Sequence, residues 1–212
     1  RAGRWMEADA DFTSALELLP EDSAMWHEYA YRFAFLLAYT QQSDRYRELC
    51  RQTLANFGDT DNHKLAERTA KMCLFSQDIA IDVEQAARLA VRDYADNDVP
   101  NWLVAWYEQS KGIAEYRRGN WAASIEALER SAGLSTRQSI GALTSQLYLA
   151  MAYHRAGQHE KARGLYQSLE LSLDSAEQEL SQAKSGQAAS NWNDYMALHL
   201  VRPEAVALIG GN

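Results

Sequence analysis

A motif made of a glycine, a polar residue and a ring recurs along the chain and limits its possible folds more than any other feature. The motif stands at Gly3–Trp5, Gly119–Trp121 and Gly157–His159, and weaker versions without the glycine start near Ser43 and Ile81. Glycine ends helices well because it has no Cβ to clash in the left-handed conformation. Each copy is therefore predicted to be a turn between two helices, with the ring at the start of the second helix.

The copies of the motif are almost evenly spaced. They are separated by 41, 37, 38 and 38 residues, counted between Trp5, Tyr46, Val83, Trp121 and His159. In a solenoid, each unit of two helices buries its apolar face only against its neighbours, and the unit length is nearly constant. The chain is therefore predicted to be an all-α protein, a solenoid of about five helix pairs.

Hydrophobic periodicity divides the chain into alternating first and second helices. First helices are expected at residues 23–39, 63–76, 101–118 and 137–156, and second helices at residues 5–19, 44–57, 82–94, 121–133 and 159–182.

The predicted organisation has three parts. A repeat array covers residues 1–183, a polar linker covers residues 184–190, and a C-terminal capping helix over residues 191–212 closes the exposed end of the array. Pro203 is expected to kink or divide this last helix. Because the chain opens inside a repeat, we expect it to be a piece of a longer protein.

Composition argues against several kinds of partner. Lys and Arg number 21 against 29 Asp and Glu, a net charge of −8, so no nucleic-acid partner is expected. The longest apolar run, residues 33–39, is far shorter than the roughly 18 residues of a membrane span, so no membrane insertion is expected. Cys50 and Cys73 lack metal or redox spacing, and we expect buried thiols in a cytoplasmic protein.

Sequence patterns of catalytic, cofactor-binding or metal-binding sites are missing. There is no phosphate-binding glycine loop, no HExxH, no GxSxG and no kinase signature segment. No two of the five histidines have the i, i+4 spacing of a helical metal site. We therefore expect a protein that is not an enzyme and uses no cofactor or metal.

Two stretches of the chain resemble units of the tetratricopeptide repeat family, in which the same turn recurs and small residues stand where two helices cross closely. The matching residues are Gly112, Gly119, Trp121 and Leu128 in one stretch, and Ala150, Tyr153, Gly157, Ala162 and Tyr166 in the next. Between Gln41 and Pro100 no turn glycine is present, and the match rests on period and apolar pattern. The resemblance implies a right-handed superhelix whose first helices line a concave groove.

Nearly the whole chain also resembles the repeat region that follows the kinase domain in planctomycete-type bacterial serine/threonine protein kinases. The segments that carry this resemblance are WHEYA (26–30), CRQTLANFGDTDN (50–62), AERTAKMCL (66–74), KGIAEYRRGNW (111–121), LAMAYHRAGQHEKAR (149–163) and WNDYMALHLVRPEA (192–205). It implies a non-catalytic protein-interaction scaffold tethered to a kinase domain, with any kinase activity outside this chain. A regulatory ligand-sensing module and a structural spacer are the alternatives.

The tetratricopeptide resemblance also implies which side chains would contact a partner in the groove. They are Tyr31, Trp106, Gln109, Ile113, Tyr116, Arg117, Leu147, Met151, His154 and Arg155. This mixture suits an extended or helical peptide with some acidic character, unless the groove is only solvated or is filled by the chain's own terminal helix. Tyr116, Arg117 and Arg155 are expected to contribute most to affinity and little to stability, because aromatic and arginine side chains dominate interface energies.

Overall fold

The computed structural model describes residues 4–76, 82–91, 101–135, 139–182 and 192–210, and within these ranges it contains helices and no strand. The ten helices are α1 (Trp5–Leu18), α2 (Ala24–Tyr39), α3 (Ser43–Phe57), α4 (His63–Leu74), α5 (Val83–Ala90), α6 (Asn101–Arg118), α7 (Trp121–Leu134), α8 (Ile140–Arg155), α9 (His159–Gln182) and α10 (Trp192–Ile209). The prediction of an all-α protein is confirmed for the described residues. The predicted linker, residues 184–190, lies outside them.

Helices α1 to α9 pack in the order of the chain, each against the next one. The four predicted first helices, α2, α4, α6 and α8, also pack side by side in that order. They start 39, 38 and 39 residues apart, at Ala24, His63, Asn101 and Ile140. The helices therefore form a regular array of pairs, in which the first helices make a continuous layer.

Two of the predicted glycine turns have the geometry that their glycines suggested. Gly119 has a φ of 80° and Gly157 a φ of 78°, both in the left-handed region. The amide of Gly119 donates to the Tyr116 carbonyl at 3.1 Å, and the next amide, of Asn120, donates to Glu115 at 2.9 Å. The turn at Gly157 repeats both bonds, which close the helix end that precedes each glycine.

The turn between α2 and α3 has the same hydrogen bonds without a glycine. The amide of Gln41 donates to the Ala38 carbonyl at 3.1 Å, and the amide of Gln42 donates to the Leu37 carbonyl at 2.8 Å. Gln41 has a φ of 60°, and among the described residues other than glycine no further residue has a positive φ. Gln41 therefore stands where the other two turns have glycine.

This turn corrects the alignment made from the sequence. Because Gln41 is equivalent to Gly119, the residue equivalent to Trp121 is Ser43, at which α3 begins. The prediction that Tyr46 occupies the ring position of the motif was wrong by one helical turn. The starts of the second helices are then separated by 38, 40, 38 and 38 residues, a more even period than the sequence suggested.

Small residues permit close contacts between neighbouring helices. A Cβ added to Gly112 of α6 would lie 2.4 Å from Leu128 Cγ of α7. A Cβ added to Gly141 of α8 would lie 2.7 Å from the Trp106 ring of α6. Both distances are too short for real contacts, so these glycines set how closely α7 and α8 approach α6.

The last helix lies in a different place from the one expected. Helix α10 packs against α8 and α9, the last helix pair, and also against α2 near the start of the chain. The Trp192 ring lies 6.1 Å from the Phe12 ring of α1, and the His199 ring lies 5.1 Å from the Tyr39 ring of α2. Although it contains Pro203, α10 is one undivided helix. It therefore spans the layer of first helices, in addition to covering the end of the array.

Replacing Gln41 with glycine should stabilise the protein. The left-handed backbone costs a residue with a Cβ roughly 1–2 kcal/mol, whereas glycine loses only about 0.5–1 kcal/mol more chain entropy on folding, so we expect a net gain of about 0.5 kcal/mol. Gly119→Ala is the matched opposite change and should destabilise by about 1 kcal/mol. Urea unfolding of both variants measures the two effects, and a loss of stability in Gln41→Gly would contradict the assigned turn.

Candidate binding face

The side of α2, α4, α6 and α8 on which α10 lies is the candidate site, and we call it the first-helix face. Contacts with α10 come from the packed helices α2 and α8 and from side chains of α4 and α6. All ten residues implied by the tetratricopeptide resemblance stand on α2, α6 and α8. Two groups of charged side chains connect this face to α10, one towards each end of α10.

Arg117 of α6 connects the face to the C-terminal half of α10. Its Nη1 and Nη2 atoms donate to the two carboxylate oxygens of Glu204 at 2.6 and 2.8 Å. Both side chains are only 10% exposed. Bidentate pairing of this kind fixes orientation as well as contributing energy, because the planar guanidinium matches the carboxylate.

The same guanidinium also closes the end of α4. Its Nε donates to the Leu74 carbonyl at 2.8 Å, and Nη2 donates to the Phe75 carbonyl at 2.9 Å. Carbonyl groups at a helix C-terminus have no partner within the helix, and a cation is favourable there. Nη2 further donates to the Tyr148 hydroxyl of α8 at 3.0 Å. One side chain therefore joins α4, α6, α8 and α10.

Tyr148 is the packed centre of this junction. It is fully buried, and its ring lies 5.6 Å from the Tyr116 ring and 6.0 Å from the Phe75 ring, both in edge-to-face geometry. Burial raises the pKa of Tyr148 above its ordinary value, and the nearby Arg117 opposes that shift. The hydroxyl stays protonated at neutral pH and can accept from Arg117 while it donates to Phe75.

A second group of charges lies near the N-terminal half of α10. Glu67 and Lys71 of α4 form an ion pair, although both side chains are almost fully buried. The Lys71 ammonium also lies 4.3 Å from the centre of the Trp106 ring. Arg68 pairs with Glu28 of α2 and lies 5.1 Å from the centre of the Tyr31 ring. Lysine and arginine buried in this way need both the carboxylates and the rings to offset lost hydration.

Asp194 of α10 lies beside this group and has a perturbed acidity. Its pKa is raised from an ordinary 3.8 to about 6, mainly by burial and also by the Glu67 carboxylate. The charges of Lys71 and Arg68 oppose the shift but do not cancel it. Asp194 is therefore a carboxyl group whose ionisation disfavours the folded arrangement of α10 near neutral pH.

Most residues predicted to line an open groove are internal in this structure. Those that are buried are Tyr31, Gln109, Ile113, Tyr116, Leu147 and Met151. Trp106 and His154 are half-buried, Arg155 is exposed, and the Arg117 side chain is nearly buried. A partner could reach the buried ones only if α10 and its neighbours moved, so the chain's own terminal helix covers much of the face.

Several of these side chains already have internal partners. The Gln109 carboxamide donates to the Gly141 carbonyl at 2.7 Å and to the Ser145 hydroxyl at 2.9 Å, which joins α6 to α8. The expectation that Tyr116 and Arg117 contribute little to stability is corrected, because both lie in the junction of four helices. Arg155 keeps the accessibility that was expected of a contact residue.

The sequence analysis missed the acidic partners on α10. Asp194 and Glu204 both lie in the quoted segment WNDYMALHLVRPEA, but nothing in the repeat pattern pairs them with α4 or α6. Arg117 and Glu204 are 87 residues apart in the chain. The one available signal was Arg117, an arginine predicted to lie on a first-helix face among apolar residues, because a cation that becomes buried requires a carboxylate nearby.

Comparison with known protein families, with curated proteins and with solved structures found no match in any of the three cases. Over the described ranges, no helix has the length and apolar character needed to cross a membrane. The same residues contain no group of three or more His, Cys, Asp or Glu side chains placed to hold a metal ion.

Truncation of Glu204 should destabilise the protein strongly. Glu204→Ala leaves the Arg117 charge buried without its carboxylate, a type of change that costs about 3 kcal/mol or more. The matched control is Glu84→Ala, which removes the exposed partner of Arg118 and should have a much smaller effect. Urea unfolding midpoints of the two variants give the comparison, and equal shifts would show that the junction does not hold α10.

Replacing Asp194 should change how stability depends on pH. Because the folded pKa of about 6 exceeds the ordinary 3.8, the folded state binds more protons between these values, and stability falls as pH rises through them. Asp194→Asn cannot ionise, so at pH about 7 it should be more stable than wild type by up to about 3 kcal/mol. Below pH about 4 the two proteins should be equal.

The buried His27 contributes a pH dependence of the opposite sign. Its pKa is lowered from 6.5 to about 4, first by burial and then by Arg68, so stability falls as pH drops through this range. This contribution is present in wild type and in Asp194→Asn, and it cancels when their unfolding free energies are subtracted. If the difference in unfolding free energy between wild type and Asp194→Asn did not vary with pH, the raised pKa of Asp194 would be contradicted.

Proposed function

We propose that this chain is a non-catalytic protein-interaction scaffold of the tetratricopeptide type, a right-handed superhelix whose first-helix face binds an acidic helix of a partner protein. The observation that carries the proposal is the position of α10. It lies across the first-helix face and pairs the Glu204 carboxylate with Arg117. In this proposal α10 occupies the position that a partner helix takes.

The side chains that α10 presents to the face define the kind of partner. Asp194 and Glu204 are ten residues apart on one helix, which corresponds to about 15 Å along its axis. Between them the buried side chains of α10 are apolar, among them Met196, Leu198 and Val201. An amphipathic helix with an apolar stripe and a carboxylate at the position of Glu204 would reproduce these contacts, in the manner of a helix bound in a groove.

Attachment to a bacterial serine/threonine kinase domain is a further part of the proposal. The six sequence segments that resemble the repeat regions of planctomycete-type kinases support it. In that arrangement the scaffold brings a cytoplasmic substrate or assembly partner close to the kinase, and tethering raises the effective concentration of the partner to the millimolar range.

A regulatory module is the second candidate function, and one observation favours it over a simple spacer. A spacer has no need of a terminal helix that is held by buried charges across the face of the array. Buried ion pairs add little net stability compared with apolar residues of similar shape, but they define one arrangement against others. The charges on α10 suit a helix that must both bind to the first-helix face and dissociate from it.

An exchange experiment tests the binding of an acidic helix. A fluorescent peptide with the sequence of residues 192–209 is titrated into wild type and into Glu204→Ala, and binding is followed by anisotropy. In wild type the covalently attached α10 competes at an effective concentration of about 1 mM or more, so the peptide should bind weakly. In Glu204→Ala the free Arg117 can pair with the peptide carboxylate, and affinity should rise at least about tenfold.

Two controls separate specific exchange from general binding. A peptide with glutamine in place of the residue equivalent to Glu204 should lose most of the gain, because the charge pair is then not restored. In the double variant Glu204→Ala with Arg117→Gln, the acidic peptide should bind no better than the glutamine peptide. Equal affinity of wild type and Glu204→Ala for the acidic peptide would contradict the proposal.

A further inference from the structure

A cavity of about 590 Å³ lies beside the turn between α2 and α3 and is closed on one side by α10. It is half-open to solvent. The residues that line it are Ala38, Gln41, Ser43, Tyr46, Phe75, Ser76, Leu200, Pro203, Glu204 and Ala207. Its volume is within the range of about 300–1,000 Å³ that is usual for small-molecule sites.

The other two turns of the same geometry show what fills the equivalent space. At Gly119, the rings of Tyr116 and Trp121 contact each other across the turn, with centroids 5.4 Å apart. At Gly157, the rings of His154 and His159 do the same at 4.5 Å. In both turns the rings stand three residues before and two residues after the glycine, so a ring pair is a regular part of this turn.

The turn at Gln41 lacks both rings. The equivalent residues are Ala38 and Ser43, and both line the cavity. The nearest ring of α3, Tyr46, stands one helical turn later, and its hydroxyl donates to the Met72 carbonyl. That bond holds Tyr46 in the cavity wall, so it does not replace the missing pair. Ala38 and Ser43 thus stand in the cavity wall at the positions where the other two turns have rings.

The backbone at Gln41 gives a second, independent observation. Glycine occupies this position in the other two turns, and a residue with a Cβ there is strained by about 1–2 kcal/mol. Gln41, the strained residue, is one of the residues that line the cavity. Backbone strain of this kind is typical of positions that contact a ligand. A contact between the Gln41 side chain and a ligand would offset the strain energy.

The polar groups of the wall define the chemistry of the occupant. The described lining residues include the hydroxyls of Ser43 and Ser76, the carboxamide of Gln41 and the carboxylate of Glu204, with no basic side chain. Glu204 already accepts from Arg117, which leaves it able to accept a further hydrogen bond but not to balance a free cation. An uncharged ligand that donates a hydrogen bond suits this wall, and an anion does not.

We propose that this cavity binds a small uncharged aromatic molecule with a hydrogen-bond donor, of the indole or phenol class, in the place of the ring pair. Its ring would pack between Phe75, Tyr46 and the α10 wall, and its donor would face the Gln41 and Glu204 side. The site is separate from the first-helix contacts made by the N-terminal half of α10.

Titration of the intact chain with indole and with phenol tests the proposal, followed by two-dimensional amide NMR. We expect saturable shifts of the amides of Ser43, Ser76 and Ala207, which line the cavity. Cyclohexanol is the matched ligand without an aromatic ring. It should bind roughly 2- to 10-fold more weakly than phenol, as expected from the 0.5–1.5 kcal/mol typical of ring pairs. The absence of saturable shifts with both aromatic ligands would overturn the proposal.

Filling the cavity provides the second test. The double variant Ala38→Tyr with Ser43→Trp restores the ring pair of the other turns and should reduce indole affinity at least about tenfold while keeping the melting temperature of wild type or raising it. Ser43→Trp alone is a milder filling and should act in the same direction. Ala123→Tyr, which adds a ring at an exposed position of α7, is the matched control and should bind indole as wild type does. Unchanged indole binding in either filled variant would overturn the proposal.

Discussion

The buried guanidinium of Arg117 is the interaction on which the arrangement of this protein depends. It neutralises Glu204, satisfies two carbonyl groups at the end of α4 and bonds the Tyr148 hydroxyl. Burying any one of these groups alone would cost several kcal/mol of lost hydration. None of them can therefore be buried unless the others are in place. The docking of α10 and the contact between the end of α4 and Tyr148 of α8 are thus coupled, because they share one cation.

The repeat could be predicted from sequence because its causes are local. A glycine with φ near 80° ends a helix wherever it stands, and apolar periodicity marks each helix independently of the rest. The turn at Gln41 was misaligned because the ring of Tyr46 was a stronger signal in the sequence than the backbone bonds of a turn without glycine. The position of α10 was beyond such reasoning, because it depends on partners 87 residues apart that no local pattern connects.

The residues of the candidate site show the same limit of prediction from local sequence patterns. Ile113, Leu147 and Met151 were assigned to an open groove by resemblance, and all three are fully buried. A face with such side chains open to water would be a large apolar patch, which monomeric proteins rarely leave uncovered. Residue types of this kind predict that an apolar face is covered. They could not indicate whether the cover is a partner or the chain itself, because both offer the same apolar contacts.

Glu204 takes part in both proposals, the partner-helix site and the small-molecule cavity. It pairs with Arg117, which holds α10 to the face, and it lines the cavity beside Gln41. One wall of the cavity consists of α10 residues, so the cavity exists only while α10 is docked. A ligand that binds there stabilises the docked state by its own binding free energy, about 2.7 kcal/mol at one hundred times its dissociation constant. By thermodynamic linkage it must weaken the exchange of α10 for a partner helix by the same factor, roughly one hundredfold. A small aromatic molecule would then act as a negative regulator of partner binding without touching the partner.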